Sequence, residues 1–140
     1  MPKINVNDFK RQWRASGHTI KISTLYPPPD ELTNGGSVDE VLLGIVLELI
    51  TEYGKLYPNR PKVEISAGND WYHQHKLSYV SVHTLGLAID LVPHSNRRVT
   101  ELEDLIKQYK KKYSKFDWIN EFTNPSKAST GPHYHLFLNK

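Results

Sequence analysis

The run from Leu87 to Val92 is apolar except for Asp90. Its length and its small and branched side chains are those of a buried strand. A carboxylate in such a strand is costly to bury unless it is paired or bound to a cation. Any fold this chain adopts must therefore bring a partner to Asp90. His83 lies shortly before it in Ser81-Val-His83-Thr-Leu-Gly86-Leu-Ala-Ile-Asp90, and a second supply of donors lies in Gly131-Pro-His133-Tyr-His135-Leu-Phe-Leu138. In an extended strand the period of two puts His133, His135 and Phe137 on one face and Tyr134, Leu136 and Leu138 on the other. One histidine of the pair can then bind a metal while the other stands beside it.

The chain has no cysteine, so any metal must be held by His, Asp or Glu. A histidine, an aspartate and one histidine of the His-x-His pair make a three-ligand zinc site with one position left for water. That is the catalytic form, since structural zinc sites close all four positions with protein ligands.

The surrounding chain reads as one α+β domain over residues 1–140. Val6, Phe9 and Trp13 recur at helical spacing, with Asn5 or Asn7 as cap and Gly17 as stop. His18 to Leu25 alternates as a strand or extended edge, and Tyr26-Pro-Pro-Pro-Asp30 then breaks regular structure. Ser37-Val-Asp-Glu40 reads as a capping box opening the strongest helix, whose apolar stripe runs from Val38 through Leu42, Ile45, Val46 and Leu49 to Tyr53. Pro61 to Ala67 is a strand ending at Gly68. The loop that follows carries Trp71, Tyr72 and His73, which read as a substrate-facing lip or as partly buried anchors. Thr100 with Glu103 reads as the cap of a second helix with a lysine-rich, solvated C-terminal half. Phe116 to Phe122 is a strand, and Thr123 to Pro132 a polar loop leading into the His-x-His strand. The expected result is a small antiparallel sheet with helices on one face and the site on the other.

Ser-x-His-x-x-Gly-x-Ala-x-Asp with a distal His-x-His resembles the zinc peptidase superfamily of D-Ala-D-Ala carboxypeptidases, lysostaphin-type and penicillin-insensitive murein endopeptidases and the Hedgehog domain, over roughly residues 62–139. The resemblance implies a fold of that kind, with Zn2+ held by His83, Asp90 and His135 and with His133 as the neighbouring catalytic histidine. Ser81 matches the serine that precedes the first ligand and would serve by local hydrogen bonding at the substrate side. The implied activity is hydrolysis of an amide bond in a peptidoglycan peptide, as in a phage lysin. Where many carboxypeptidase-like members carry a glutamate three residues before the last ligand, this chain has Pro132; the His-Tyr-His-Leu-x-Leu ending looks more like the endopeptidase branches. The upstream Ser-Gly-Tyr-Arg segment is replaced by Ser66-Ala-Gly-Asn-Asp70. The missing glutamate motivates an alternative, a catalytically silent zinc-binding attachment module, for example of a phage tail.

A net charge of +3 and a pI near 9.0 describe a soluble surface with a slight lysine excess and do not argue for nucleic acid. No run approaches membrane-spanning length, and Met1 to Asp8 lacks the apolar core of a secretory signal. The expectation is synthesis in the cytoplasm, with the product virion-associated or released to the cell wall.

Overall fold

The computed structural model describes residues 1–77, 79–125 and 131–139. Helix α1 (Val6–Ala15) is capped by Asn5, whose side chain accepts from the Asp8 amide, and it turns Phe9 and Trp13 into the core. Strand β1 is only Thr19–Ile20, much shorter than the alternation from His18 to Leu25 suggests. The chain leaves the sheet there because Lys21 already bonds both ways, its amide to the Ile65 carbonyl and its carbonyl to the Glu31 amide. The segment that follows folds back as a loop in which Asp30, Glu31 and Leu32 are buried. Asp30 is held by Lys10 at 2.9 Å and Arg14 at 3.2 Å, both from α1.

Helix α2 (Glu40–Leu56) is the central helix, with Leu42, Leu43, Ile45, Val46 and Leu49 all fully buried. Its cap is Asp39, which accepts from the amides of Val41 and Leu42, and not Ser37 as the capping-box pattern suggests. Glu40 is thereby free to pair with Lys3 at the surface. Strand β2 (Val63–Ala67) is followed by the short helix α3 (Trp71–His75), capped by Asp70, where the sequence suggested an irregular loop. Strand β3 (Ala88–Pro93) and helix α4 (Thr100–Lys112) come next. The cap residue of α4 is Val99, without a side-chain cap bond, so the Thr100 and Glu103 box does not form. Glu103 instead accepts both Arg98 guanidinium nitrogens, at 3.0 and 2.7 Å, and the Tyr134 hydroxyl at 2.5 Å.

Strands β4 (Phe116–Asn120) and β5 (Tyr134–Leu138) complete a five-stranded sheet of order β1-β2-β3-β5-β4. The sheet is mixed and not purely antiparallel: β1 runs parallel to β2, and every other pairing is antiparallel. Strand β4 stops two residues short of Phe122, in a turn. The polar loop expected to lead into β5 falls largely at 126–130, outside the described residues.

The alternation of β5 sorts the two sides of the sheet. Tyr134, Leu136 and Leu138 join Val63, Ile65, Ile89 and Leu91 in the core with α1, α2 and α4. His135 and Phe137 face the other way. This helix-covered face holds the hydrophobic core, where burial is favourable by roughly 25 cal/mol per Å2 of apolar surface, and the opposite face carries Asp90 and His135. Among the described residues no helix is long and apolar enough to cross a membrane.

Candidate metal centre

Asp90 and His135 are direct cross-strand partners in the register of β3 and β5. Cross-strand neighbours on one face have Cβ atoms about 5 Å apart, so the pairing alone brings imidazole to carboxylate. His135 Nδ1 lies 2.8 Å from Asp90 Oδ1. His83 arrives from the turn before β3. That turn is closed by Gly86, whose φ of +72° suits glycine and whose Cα lies so near α2 that an added Cβ would sit 2.5 Å from the Ser37 carbonyl oxygen. The His83 Nε2 reaches within 3.3 Å of Asp90 Oδ2. His133 Nε2 lies 3.4 Å from the same oxygen. Three imidazoles therefore face one carboxylate that is only 7% exposed.

The tautomers follow from the acceptors behind the rings. His83 Nδ1 lies 3.0 Å from the Gly68 carbonyl oxygen and His133 Nδ1 2.8 Å from that of Gly131. A carbonyl only accepts, so both Nδ1 atoms carry hydrogen and both Nε2 atoms point inward. His83 and His133 then meet the Asp90 carboxylate through Nε2, an arrangement satisfied by a proton on Nε2 or by a bound cation. Burial alone pushes the Asp90 carboxyl up, but the charge of His83, hydrogen bonds from His135 and His83, and the charge of His133 outweigh it and hold the group well below the usual carboxylate range.

A metal ion is one such cation. The donor atoms of His83, Asp90 and His135 lie within 4.8 Å of one another, with His83 Nε2 3.3 Å from Asp90 Oδ2 and His135 Nδ1 2.8 Å from Asp90 Oδ1. The Gly68 carbonyl behind His83 is the kind of outer partner that orients a ligating imidazole. Imidazole donors of this kind suit several first-row divalent metals, zinc among them.

One residue at this centre was not singled out in the sequence. The Glu121 amide donates to the His133 carbonyl at 3.0 Å, which extends the β4 and β5 pairing by one step beyond Asn120 and Tyr134. Glu121 thus stands opposite His133, and its Oε2 lies 2.8 Å from His133 Nε2. With Nδ1 already protonated, that contact holds a shared proton. The signal was in the strand register: a carboxylate just after an apolar strand that pairs with the His-x-His strand.

The other predicted site residues separate. His73 lines the same cavity and its ring stacks on His83, with centroids 4.2 Å apart. Its Nδ1 donates to Asp70 at 2.7 Å, so Asp70 both caps α3 and fixes the His73 tautomer. Asp70, His73 and His83 form a second grouping with donor atoms within 4.8 Å. Tyr72 and Ser81 also line the cavity. Ser81 bonds locally, its carbonyl accepting the Thr84 hydroxyl at 2.6 Å. Trp71 turns away to stack on Tyr26 and His75 and is not part of the cavity wall. The cavity measures ≈ 510 Å3 and runs from the metal cluster to Glu31. Burial and the charge of Asp70 raise the Glu31 pKa, against the opposing pull of Lys21, Asn34 and His73.

Comparison with known proteins adds no identification: no family model, curated protein or solved structure matches the chain.

Proposed function

We propose that this chain is a zinc-dependent peptidase that hydrolyses an amide bond in peptidoglycan stem peptides or crosslinks, with a fold of the Hedgehog and D-Ala-D-Ala peptidase kind. The observation that carries the metal reading is the convergence of His83 Nε2 and His133 Nε2, with His135 Nδ1, on the buried Asp90 carboxylate. The substrate class comes from the motif resemblance. A phage lysin or virion-borne enzyme fits that substrate.

His83, Asp90 and His135 would hold the ion. When bound, zinc supplies a Lewis acid for the scissile carbonyl and brings the pKa of its water to about 7. His133 and Glu121 supply the proton transfers. The Gly131 carbonyl keeps the hydrogen on His133 Nδ1, so Nε2 is the atom that takes and returns a proton, with Glu121 Oε2 sharing it at 2.8 Å. An imidazole titrates in the range this work needs. Tyr72, His73 and Ser81 form the wall along which the peptide would lie.

The silent-module alternative was motivated by a missing glutamate. The contact of Glu121 Oε2 with His133 Nε2 sets a carboxylate beside that histidine from the end of β4, which supports the enzymatic reading over the attachment module.

Elemental analysis of the purified protein beside His83→Ala is the first test, with about one zinc per chain expected and loss in the variant. Digestion of purified peptidoglycan by wild type and His133→Ala is the second. The expected result is loss of rate with zinc retained in the variant. Absence of zinc under zinc-replete conditions would overturn the metal reading, and zinc without digestion would favour an attachment module.

A further inference from the structure

We propose that the Glu31 and Asp70 end of the cavity is a subsite for a primary ammonium group on the substrate. Among the described residues, four carboxylates line this cavity, Glu31, Asp70, Asp90 and Glu121, against a single Lys21 and no arginine. Three of them are accounted for. Asp90 is faced by three histidines, Glu121 by His133, and Asp70 by the ring and backbone amide of His73. Glu31 is not. It is 6% exposed, and its Oε1 has no hydrogen-bond partner among the described residues.

A buried acceptor left unpaired is costly, and Glu31 has no means of retreating to solvent. Its amide donates to the Lys21 carbonyl and its carbonyl accepts from the Gly68 amide, both at 2.9 Å, so its backbone is tied between the end of β1 and the end of β2. The same Gly68 supplies the carbonyl behind His83, which fixes the subsite relative to the metal cluster. The terminal torsion of a glutamate is soft, so a donor entering the cavity can draw Oε1 toward it. Each Asp70 oxygen retains acceptor capacity beyond the His73 bonds. A primary ammonium is compact and offers three rotatable donors, enough to engage both carboxylates at once.

The matching substrate has a primary ammonium beside the amide, either on a diamino-acid side chain or as a free amino terminus. That the ammonium belongs to a substrate rests on the peptidase reading above; that this end of the cavity takes ammonium does not.

The test is titration of the purified protein, followed by amide chemical shifts, with Nα-acetyl-lysine amide, alanine amide and Nα-acetyl-norleucine amide. The expected result is saturable shifts at Gly68 and Asp70 for one or both ammonium ligands, with norleucine binding at least about tenfold more weakly. The lysine and alanine arms tell a side-chain ammonium from an α-ammonium. Glu31→Gln should weaken the ammonium ligand about tenfold and leave norleucine unchanged. Equal binding of lysine and norleucine derivatives by the wild type would overturn the subsite even if the variant did not fold. So would an unchanged ammonium affinity in a folded Glu31→Gln. These shifts do not depend on turnover or on zinc content, so failure here and failure of the peptidase reading are separately visible.

Discussion

Lowering the pH from 7 to 4 should destabilise this protein through one histidine remote from the metal cluster. His18 is 3% exposed, packs against the Trp13 ring, and accepts the Val63 amide on Nδ1 at 3.0 Å. Burial, with Lys62 and His94 nearby, lowers its pKa from 6.5 to about 4. The unfolded chain therefore takes up a proton on this residue before the folded one does. The stability it contributes is complete above about pH 6.5, is lost progressively as pH falls toward 4, and is gone below that. A depression of this size corresponds to at most roughly 3 kcal/mol. His18→Asn places an amide oxygen near the position of Nδ1, where it accepts the Val63 N–H without titrating. Urea unfolding followed by tryptophan fluorescence, run at intervals from pH 7 to 4 with chelator in both samples, isolates the contribution of His18. The wild type should lose about 2–3 kcal/mol more than the variant over that interval. Parallel curves for the two proteins would refute the reasoning.

Glu121→Gln should retain zinc and fold normally but slow peptidoglycan digestion by about 100-fold, the lower range for loss of a proton-transfer partner; an unchanged rate would separate Glu121 from the chemistry. Tyr134→Phe removes a donor to Glu103 and the acceptor of the Val99 amide at 3.1 Å. It should cost about 1–3 kcal/mol in a urea titration. Gly86→Ala forces an alanine to a φ of +72° with its Cβ against the Ser37 carbonyl, and should lower both stability, by about 1–3 kcal/mol, and zinc content, since His83 sits on that turn. Leu49→Ala, at a fully buried position in α2, should cost about 2–5 kcal/mol without changing zinc stoichiometry.

Much of this was legible in the chain because it is local. The α2 stripe, the apolar β3 and the alternation of β5 are periodic patterns, and each formed where its period placed it. The pairing of Asp90 with a distal histidine followed from the cost of burying a lone carboxylate. The misreadings came from competition between near-equivalent local options. Ser37 and Asp39 both suit an N-cap, and the turn at Gly86 decides between them by accepting the Asp39 amide. Glu103 suits a capping box, but the exposed Arg98 and the buried Tyr134 claim it. Glu121 and Glu31 were invisible because only their placement around the sheet brings them to the cavity. Glu121 meets His133 only through strand register, and Glu31 enters the cavity only because a parallel β1 pairing brings its loop against Gly68.

The sheet order has a consequence for how the centre comes into being. Strand β5 is last in chain order yet lies between β3 and β4, which have no pairing with each other. Until it inserts, β3 and β4 each present an open edge of unpaired amides and carbonyls, and such edges invite pairing with other chains. The same insertion delivers His133 and His135 to Asp90, so sheet closure and assembly of the metal centre are one event. A one-residue slip of β5 would turn Tyr134 or Leu136 toward Asp90 and bury the histidines on the wrong side. On the proposed reading, a metal ion held by His83, Asp90 and His135 would act as a clasp that accepts a single register, and metal stoichiometry would count the chains whose last strand has closed correctly.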